Sequence, residues 1–384
     1  MDTSSLPGTP CDIFCNVVDN YGDIGVAWRL ARQLAAEYGL RVRLWLDDLA
    51  SLQRIWPATD SDRPSQQLSG IEVRRWAAPF AEDSPASLVI EAFGCGLPES
   101  YLAAMARREP RPLWLNLEYL SAEAWVKGCH GLPSPHPRLP LTAYFYYPGF
   151  EPETGGLLRE SGLMAQREVY QADPNQQTLF WQSIRLAPPP SGTLSVSLFA
   201  YDHPGVPELL TAWSAGATKV RCLLPEGVAR RGVAHFAGGH LAPGQTLQRG
   251  NLELRILPFL DQLAYDRLLW SCDLNLVRGE DSFVRAQWAA LPLVWNIYAQ
   301  PDDAHWPKLQ AFLDLYCQGL SPGSTAAYRA FTEAWNRGHG LAAAWPALLS
   351  HRPELGRHAK AWADHLADLP DLARKLMHFC KEKL

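Results

Sequence analysis

Residues 11–38 read CDIFCNVVDNYGDIGVAWRLARQLAAEY. The first part, 11–18, is a short apolar run that predicts a buried strand. From 23 to 38 the apolar residues Val26, Leu30 and Leu34 recur at helical spacing, and Gly39 supplies the stop. Working outward, the same alternation recurs. Strands are predicted over 41–46, 72–76, 88–92 and 112–117, with a helix over 99–108. Strands alternating with helices make a parallel, doubly wound α/β sheet. After the stiff stretch APPPSG at 187–192 the pattern restarts. Strands are predicted at 194–199, 220–224, 252–257, 273–277 and 293–295, and helices at 261–270, 282–290 and 359–381.

With 384 residues, the chain exceeds what one hydrophobic core usually serves. Two domains are expected: 1–186, with the helix 361–384 packing back on it, and 187–360. Two such domains in tandem place a ligand cleft at the carboxyl ends of their strands. The segment 127–156, KGCHGLPSPHPRLPLTAYFYYPGFEPETGG, is too long for an idle connector and reads as a functional loop.

Composition excludes several classes. Apolar residues make up 47% and charged residues 20%, which rules out disorder as the main state. The eight cysteines form no CxxC pair, so zinc and disulfide frameworks are not expected and reduced core thiols are. A net charge of -5 lacks the basic stripe that nucleic acid requires. No apolar run is long enough for a membrane span and the start lacks a secretion signal, so a cytoplasmic protein is expected, with neither membrane nor nucleic acid as partner.

Three constellations could carry chemistry. The first lies where the first strand turns into the first helix: Asp19, Asn20, Tyr21, Gly22, Asp23, then Gly25. A dinucleotide fingerprint would place three glycines here; two glycines flanked by carboxylates would instead repel a phosphate. Paired carboxylates suit a cation to be bound or a proton to be removed. Helix capping by Asp23 and an Asx turn at Asp19 would explain the same residues. The second constellation is Arg278, Gly279, Glu280, Asp281 and Ser282, again at a strand-to-helix junction. Helix amides, the Ser282 hydroxyl and the Arg278 guanidinium could hold a diphosphate, and Glu280 could meet sugar hydroxyls or a developing cation. Plain capping by Asp281 or Ser282 is the alternative. The third set, Phe199, Tyr201, Phe259 and Gln262, follows two strands and offers aromatic faces and an amide for a pyrimidine, or else strand-end core. His130, His136 and His305 accompany no nucleophile signature and read as loop or surface residues.

Several motifs together resemble the bacterial protein-arginine rhamnosyltransferases that modify elongation factor P: DIFCNVVDNYGDIGVAWRLAR at 12–32, LWLDD at 44–48, LNLEYLSAE at 115–123, HGLPSP at 130–135, YPGF at 147–150, TGGLLRE at 154–160 and RGEDSFVRAQ at 278–287. The resemblance implies a GT-B fold and an inverting, metal-independent glycosyltransferase with no cofactor. Its donor would be dTDP-β-L-rhamnose and its acceptor an arginine of elongation factor P. It implies Asp23 as general base, Asp19 as its partner and Glu280 as a second carboxylate. Arg278, Gly279, Asp281 and Ser282 would hold the diphosphate; Phe199, Tyr201, Phe259 and Gln262 would frame thymine and ribose; and Asn20, Tyr21 and Gly22 would back the sugar. A nucleotide-sugar epimerase, a transferase with another acceptor, and a non-catalytic sugar-nucleotide or translation-factor binding module remain as alternatives.

Overall fold

The structure is a computed structural model that describes residues 7–19, 21–78, 80 and 84–383. The chain divides into two compact units, one formed by Met1–Ser161 with Ala367–Leu384, the other by Gly162–Leu366.

The first unit runs β1 (Pro10–Cys15), α1 (Gly22–Tyr38), β2 (Arg41–Leu46), α2 (Leu49–Ile55), β3 (Ser65–Leu68), β4 (Ile71–Arg75), β5 (Leu88–Ala92), α3 (Glu99–Arg107), β6 (Leu113–Leu117), α4 (Trp125–Cys129), β7 (Pro133–Pro135) and β8 (Thr142–Tyr146). Its sheet has the order β3-β4-β2-β1-β5-β6-β8-β7, with the inner six strands parallel and the two edges antiparallel. Helix α1 is buried without a break from Asp23 to Ala31 and ends at Gly39, whose left-handed φ of 66° lets its N–H reach the carbonyls of Ala35 and Leu34. Strand β1 is buried throughout except at Pro10, although it carries a carboxylate, Asp12. That charge is satisfied by the Arg43 guanidinium at 2.5 and 2.6 Å, by the Ala86 N–H at 3.1 Å and by the Tyr101 hydroxyl.

The expectation of a long loop over 127–156 is corrected: the segment contains β7 and β8, and β8 adds to the sheet beside β6. Its prolines mask a short strand, Thr-Ala-Tyr-Phe-Tyr, rich in the aromatic residues that strands favour.

The second unit runs α5 (Leu163–Ala172), α6 (Pro174–Ser183), β9 (Thr193–Leu198), α7 (Gly205–Ala215), β10 (Lys219–Pro225), α8 (Arg230–Ala237), β11 (Thr246–Arg249), β12 (Leu252–Leu257), α9 (Gln262–Ser271), β13 (Leu274–Arg278), α10 (Asp281–Trp288), β14 (Leu293–Asn296), α11 (His305–Tyr316), α12 (Pro322–Arg337), α13 (Leu341–Ser350) and α14 (Arg352–Asp368). Its sheet order is β11-β12-β10-β9-β13-β14, parallel except for β11.

The division lies before the proline stretch at 187–192, not at it. Helices α5 and α6 belong with the second unit because Tyr170, Phe180, Trp181 and Ile184 pack with Leu223, Leu257 and Leu268. The predicted single helix over 359–381 is two, separated around Pro370. The second, α15 (Leu372–Lys383), packs in the first unit. There the Phe379 ring meets Tyr144 and Tyr146, and Lys375 Nζ donates to the carbonyls of Pro152 and Thr154. All eight cysteines are free; Cys95 and Cys129 are half-buried and the rest buried. Among the described residues no helix is long and apolar enough to cross a membrane.

Candidate functional site

At the carboxyl end of β1, Asp23 is not a helix cap. It sits in the first turn of α1, 2% exposed, and reaches backward so that its Oδ2 accepts the N–H groups of Val18 at 2.9 Å and Asp19 at 2.8 Å. Burial pushes its carboxyl up from the ordinary aspartate value. The two backbone N–H groups oppose that shift, the neighbouring Asp19 charge adds to it, and a hydrogen bond from the Tyr119 side chain opposes it. Raising the pKa makes the carboxylate a stronger base than an ordinary aspartate, which suits a proton acceptor.

Asp19 is half-buried beside it, and its carbonyl accepts the Gly22 N–H at 2.7 Å. A Cβ on Gly22 would lie 2.9 Å from Asp19 Oδ2, so the absence of a side chain there lets the carboxylate lie against the helix start. Tyr21 is the residue that precedes α1. Asn20 lies outside the described residues.

Two further carboxylates at neighbouring strand ends escaped the sequence reading. Glu91, near the end of β5, accepts from the Gly96 N–H at 2.8 Å and from the Trp114 indole at 3.1 Å. Glu118, just after β6, accepts from the Asn116 amide at 2.8 Å. Burial raises both, and Glu91 raises Glu118 further. A charge inside the apolar run Leu-Val-Ile-Glu-Ala is the signal that could have flagged Glu91.

The junction after β13 in the second unit is built differently. The Arg278 guanidinium lies over the rings of Phe199 and Tyr201, 4.6 and 4.7 Å from their centroids. These aromatics therefore position a cation, a role the pattern of residues did not offer. Tyr201 also meets Tyr298 edge-on at 5.4 Å, an exposed ring the sequence reading missed. Gly279 takes a left-handed φ of 60°, and its carbonyl accepts from the Trp295 indole at 2.8 Å.

Glu280, half-buried, precedes α10 without a side-chain capping bond, and its carbonyl accepts the Val284 N–H. Ser282 is committed within the turn: its hydroxyl donates to the Arg278 carbonyl and accepts the Arg278 N–H at 3.1 Å. The proton that the sequence reading offered to a phosphate is thus already in use. Asp281 accepts from the buried Gln262 amide at 3.4 Å, and Phe259 is half-buried just before α9. The start of α10 leaves backbone N–H groups and a nearby guanidinium, a combination suited to an anion.

The histidines are structural. His130 Nδ1 accepts the Tyr147 N–H at 3.1 Å, and burial with the nearby Lys375 lowers its pKa to about 4. His136 accepts from the amides of Arg138 and Leu139, and His305 from that of Gln300. Among the described residues no group of three or more His, Cys, Asp or Glu is arranged to hold a metal ion.

The sequence signature of the family described as Elongation-Factor P (EF-P) rhamnosyltransferase EarP matches residues 11–381. A protein-arginine rhamnosyltransferase of Pseudomonas putida is 49% identical over 374 residues, 97% of this chain and 99% of that protein. One from Shewanella oneidensis is 44% identical with both chains covered in full. A solved structure described as the structural basis for EarP-mediated arginine glycosylation of translation elongation factor EF-P superposes with a TM-score of 0.71. It is 37% identical and covers 98% of this chain and 100% of its own. An α-glucosyltransferase bound to UDP and DNA shares only the fold, at a TM-score of 0.51 and 8% identity over 98% of this chain and 99% of its own. The chain has the two-domain GT-B fold and belongs to the elongation factor P rhamnosyltransferase family, a family of glycosyltransferase enzymes.

Proposed function

We propose that this member of the family moves L-rhamnose from dTDP-β-L-rhamnose to a guanidino nitrogen of an arginine in elongation factor P, by one inverting displacement and without a resident metal or cofactor. As a protein-arginine rhamnosyltransferase, the chain must handle a cationic acceptor and an anionic donor. The observation that carries the finer reading is the opposite chemistry of its two strand-to-helix junctions. One is a pair of carboxylates with an elevated, buried Asp23; the other is a guanidinium beside a helix N-terminus.

The acceptor is chemically reluctant, because an arginine side chain stays protonated above pH 12 and its nitrogen lone pairs are delocalised. Asp19 and Asp23 engage the guanidinium, localise its positive charge on the nitrogens that do not attack and hold the attacking nitrogen in line with the anomeric carbon. As the nitrogen–carbon bond forms, the bond from that carbon to the diphosphate oxygen breaks. Asp23 takes the proton the nitrogen releases, and the electron pair leaves with dTDP. Negative charge growing on the diphosphate is met by Arg278 and by the backbone N–H groups at Gly279, Asp281 and Ser282. Glu280 faces the sugar and steadies positive charge developing there. Phe259 and Gln262 frame the nucleoside, with Phe199 and Tyr201 contributing through the Arg278 they hold. Tyr21 and Gly22, with Asn20, back the sugar. One displacement inverts the anomeric centre.

Intact-mass spectrometry of elongation factor P after incubation with this protein and dTDP-β-L-rhamnose tests the reading. The expected product carries one deoxyhexose on one arginine. Unmodified factor, or donor converted equally well without any protein acceptor, would contradict it, the latter in favour of an epimerase.

A further inference from the structure

Three neighbouring strands of the first unit, β1, β5 and β6, end side by side. Asp23 follows the first of them. Phe93, the residue just after β5, has a left-handed φ of 59°, a region bulky aromatic residues rarely adopt. Gly94 continues the left-handed turn with a φ of 62°. The Phe93 N–H donates to the Leu117 carbonyl at 2.7 Å, which ties this strained turn to the end of β6. The turn presents the Phe93 ring flat against Tyr119, centroids 4.6 Å apart and planes 19° from parallel. Tyr119 is 38% exposed, and its side chain hydrogen-bonds Asp23. Backbone strain at a site edge persists only where surrounding structure imposes it. Here it places one ring under a tyrosine that reaches the buried aspartate.

We infer that the Phe93–Tyr119 pair is a clamp on the Asp23 carboxylate, making Tyr119 a positioning residue whose hydroxyl donates to the base and fixes its aim before the acceptor arrives. The inference rests on the reading of Asp23 as the base. Tyr119 touches neither bond that changes; it acts through Asp23. The groups that face Asp23 are the Asp19 carboxylate, the Cys15 thiol at the end of β1, the Tyr119 hydroxyl and the amides of Val18 and Asp19. Among the described side chains facing Asp23, Tyr119 donates a bond that favours the ionised form. Removing its hydroxyl therefore raises the carboxyl's pKa, and the base is lost at a higher pH as pH falls.

The test is the pH profile of kcat/KM at limiting acceptor protein, since that ratio reports ionisations of the free enzyme. Tyr119→Phe keeps the ring stack and is expected to move the acid limb up by about one pH unit and to lower the plateau about tenfold. Affinity for dTDP should be unchanged. Phe93→Leu is expected to shift the limb in the same direction by a smaller amount. A Tyr119→Phe profile that superimposes on the wild type, or a lowered plateau with an unmoved limb, would overturn the clamp. Asp23→Asn measured alongside separates the two claims. If it is inactive while Tyr119→Phe behaves as wild type, the clamp alone falls; if it turns over normally, the base assignment falls and the clamp with it.

Discussion

After β1 the chain enters α1 through a turn in which an aspartate folds back onto two backbone amides; after β13 it enters α10 through a turn in which an arginine lies across two aromatic rings. Both corners lie at the carboxyl end of a parallel strand, where this class of fold binds ligands. In the first, the buried Asp23 carboxylate and the half-buried Asp19 carboxylate make a place for positive charge and a proton in spite of the helix end. The second has the same helix end but adds a guanidinium, which makes a place for negative charge. The contrast teaches that the fold supplies the corner while a few side chains set its sign. Substitutions at the two corners should therefore fail in different ways.

The largest effect is expected from Asp23→Asn. The amide keeps the size and can still accept the two backbone N–H groups, yet it cannot take the proton. Single-turnover rates measured by intact mass should fall by a factor of roughly a thousand or more, with the thermal midpoint within a few degrees of wild type. A loss of less than tenfold would erase the distinction between the corners.

Gly22→Ala should come next. Its Cβ would meet Asp19 Oδ2 at 2.9 Å, and because that atom ends a flexible side chain, the carboxylate rather than the helix is expected to move. Displacing one of two groups that orient the acceptor should lower kcat/KM for elongation factor P about tenfold while leaving dTDP binding intact. Weakened dTDP binding with normal acceptor kinetics would show that Gly22 acts on the nucleotide and not through Asp19.

Ser282→Ala is expected to have the smallest effect, because its hydroxyl holds the turn rather than an open ligand position. Donor affinity should weaken by about 1 kcal/mol, roughly fivefold, through loosening of the Arg278 backbone. Calorimetry that found a loss as large as that of an Arg278 substitution would show the hydroxyl meeting the diphosphate directly.

Much of the scaffold was legible because its elements follow their periods. Strand β2 and strand β12 run where the apolar pattern put them, and α1 stops at its glycine. The segment 127–156 was not legible as sheet, since Pro133 and Pro135 argue against a strand and only pairing with β6 and between β7 and β8 makes one. The carboxylates of the first corner were legible by residue type and place. What they do there was not: that Asp23 reaches backward over four and five residues instead of capping depends on the conformation of the turn, and that Tyr119 meets it is a contact between residues distant in the chain. Likewise Arg278 and the aromatics were each visible, but their stacking on one another depends on β9 and β13 being neighbours in the sheet.

The division between the two corners is tested most directly by calorimetric titration of dTDP into the wild type, Asp23→Asn and Arg278→Ala. The expected result is unchanged affinity for Asp23→Asn and a loss of about 1 to 3 kcal/mol, roughly five- to 150-fold, for Arg278→Ala. Equal weakening in both variants, or full affinity in Arg278→Ala, would contradict the assignment of the donor to the second corner and the acceptor to the first.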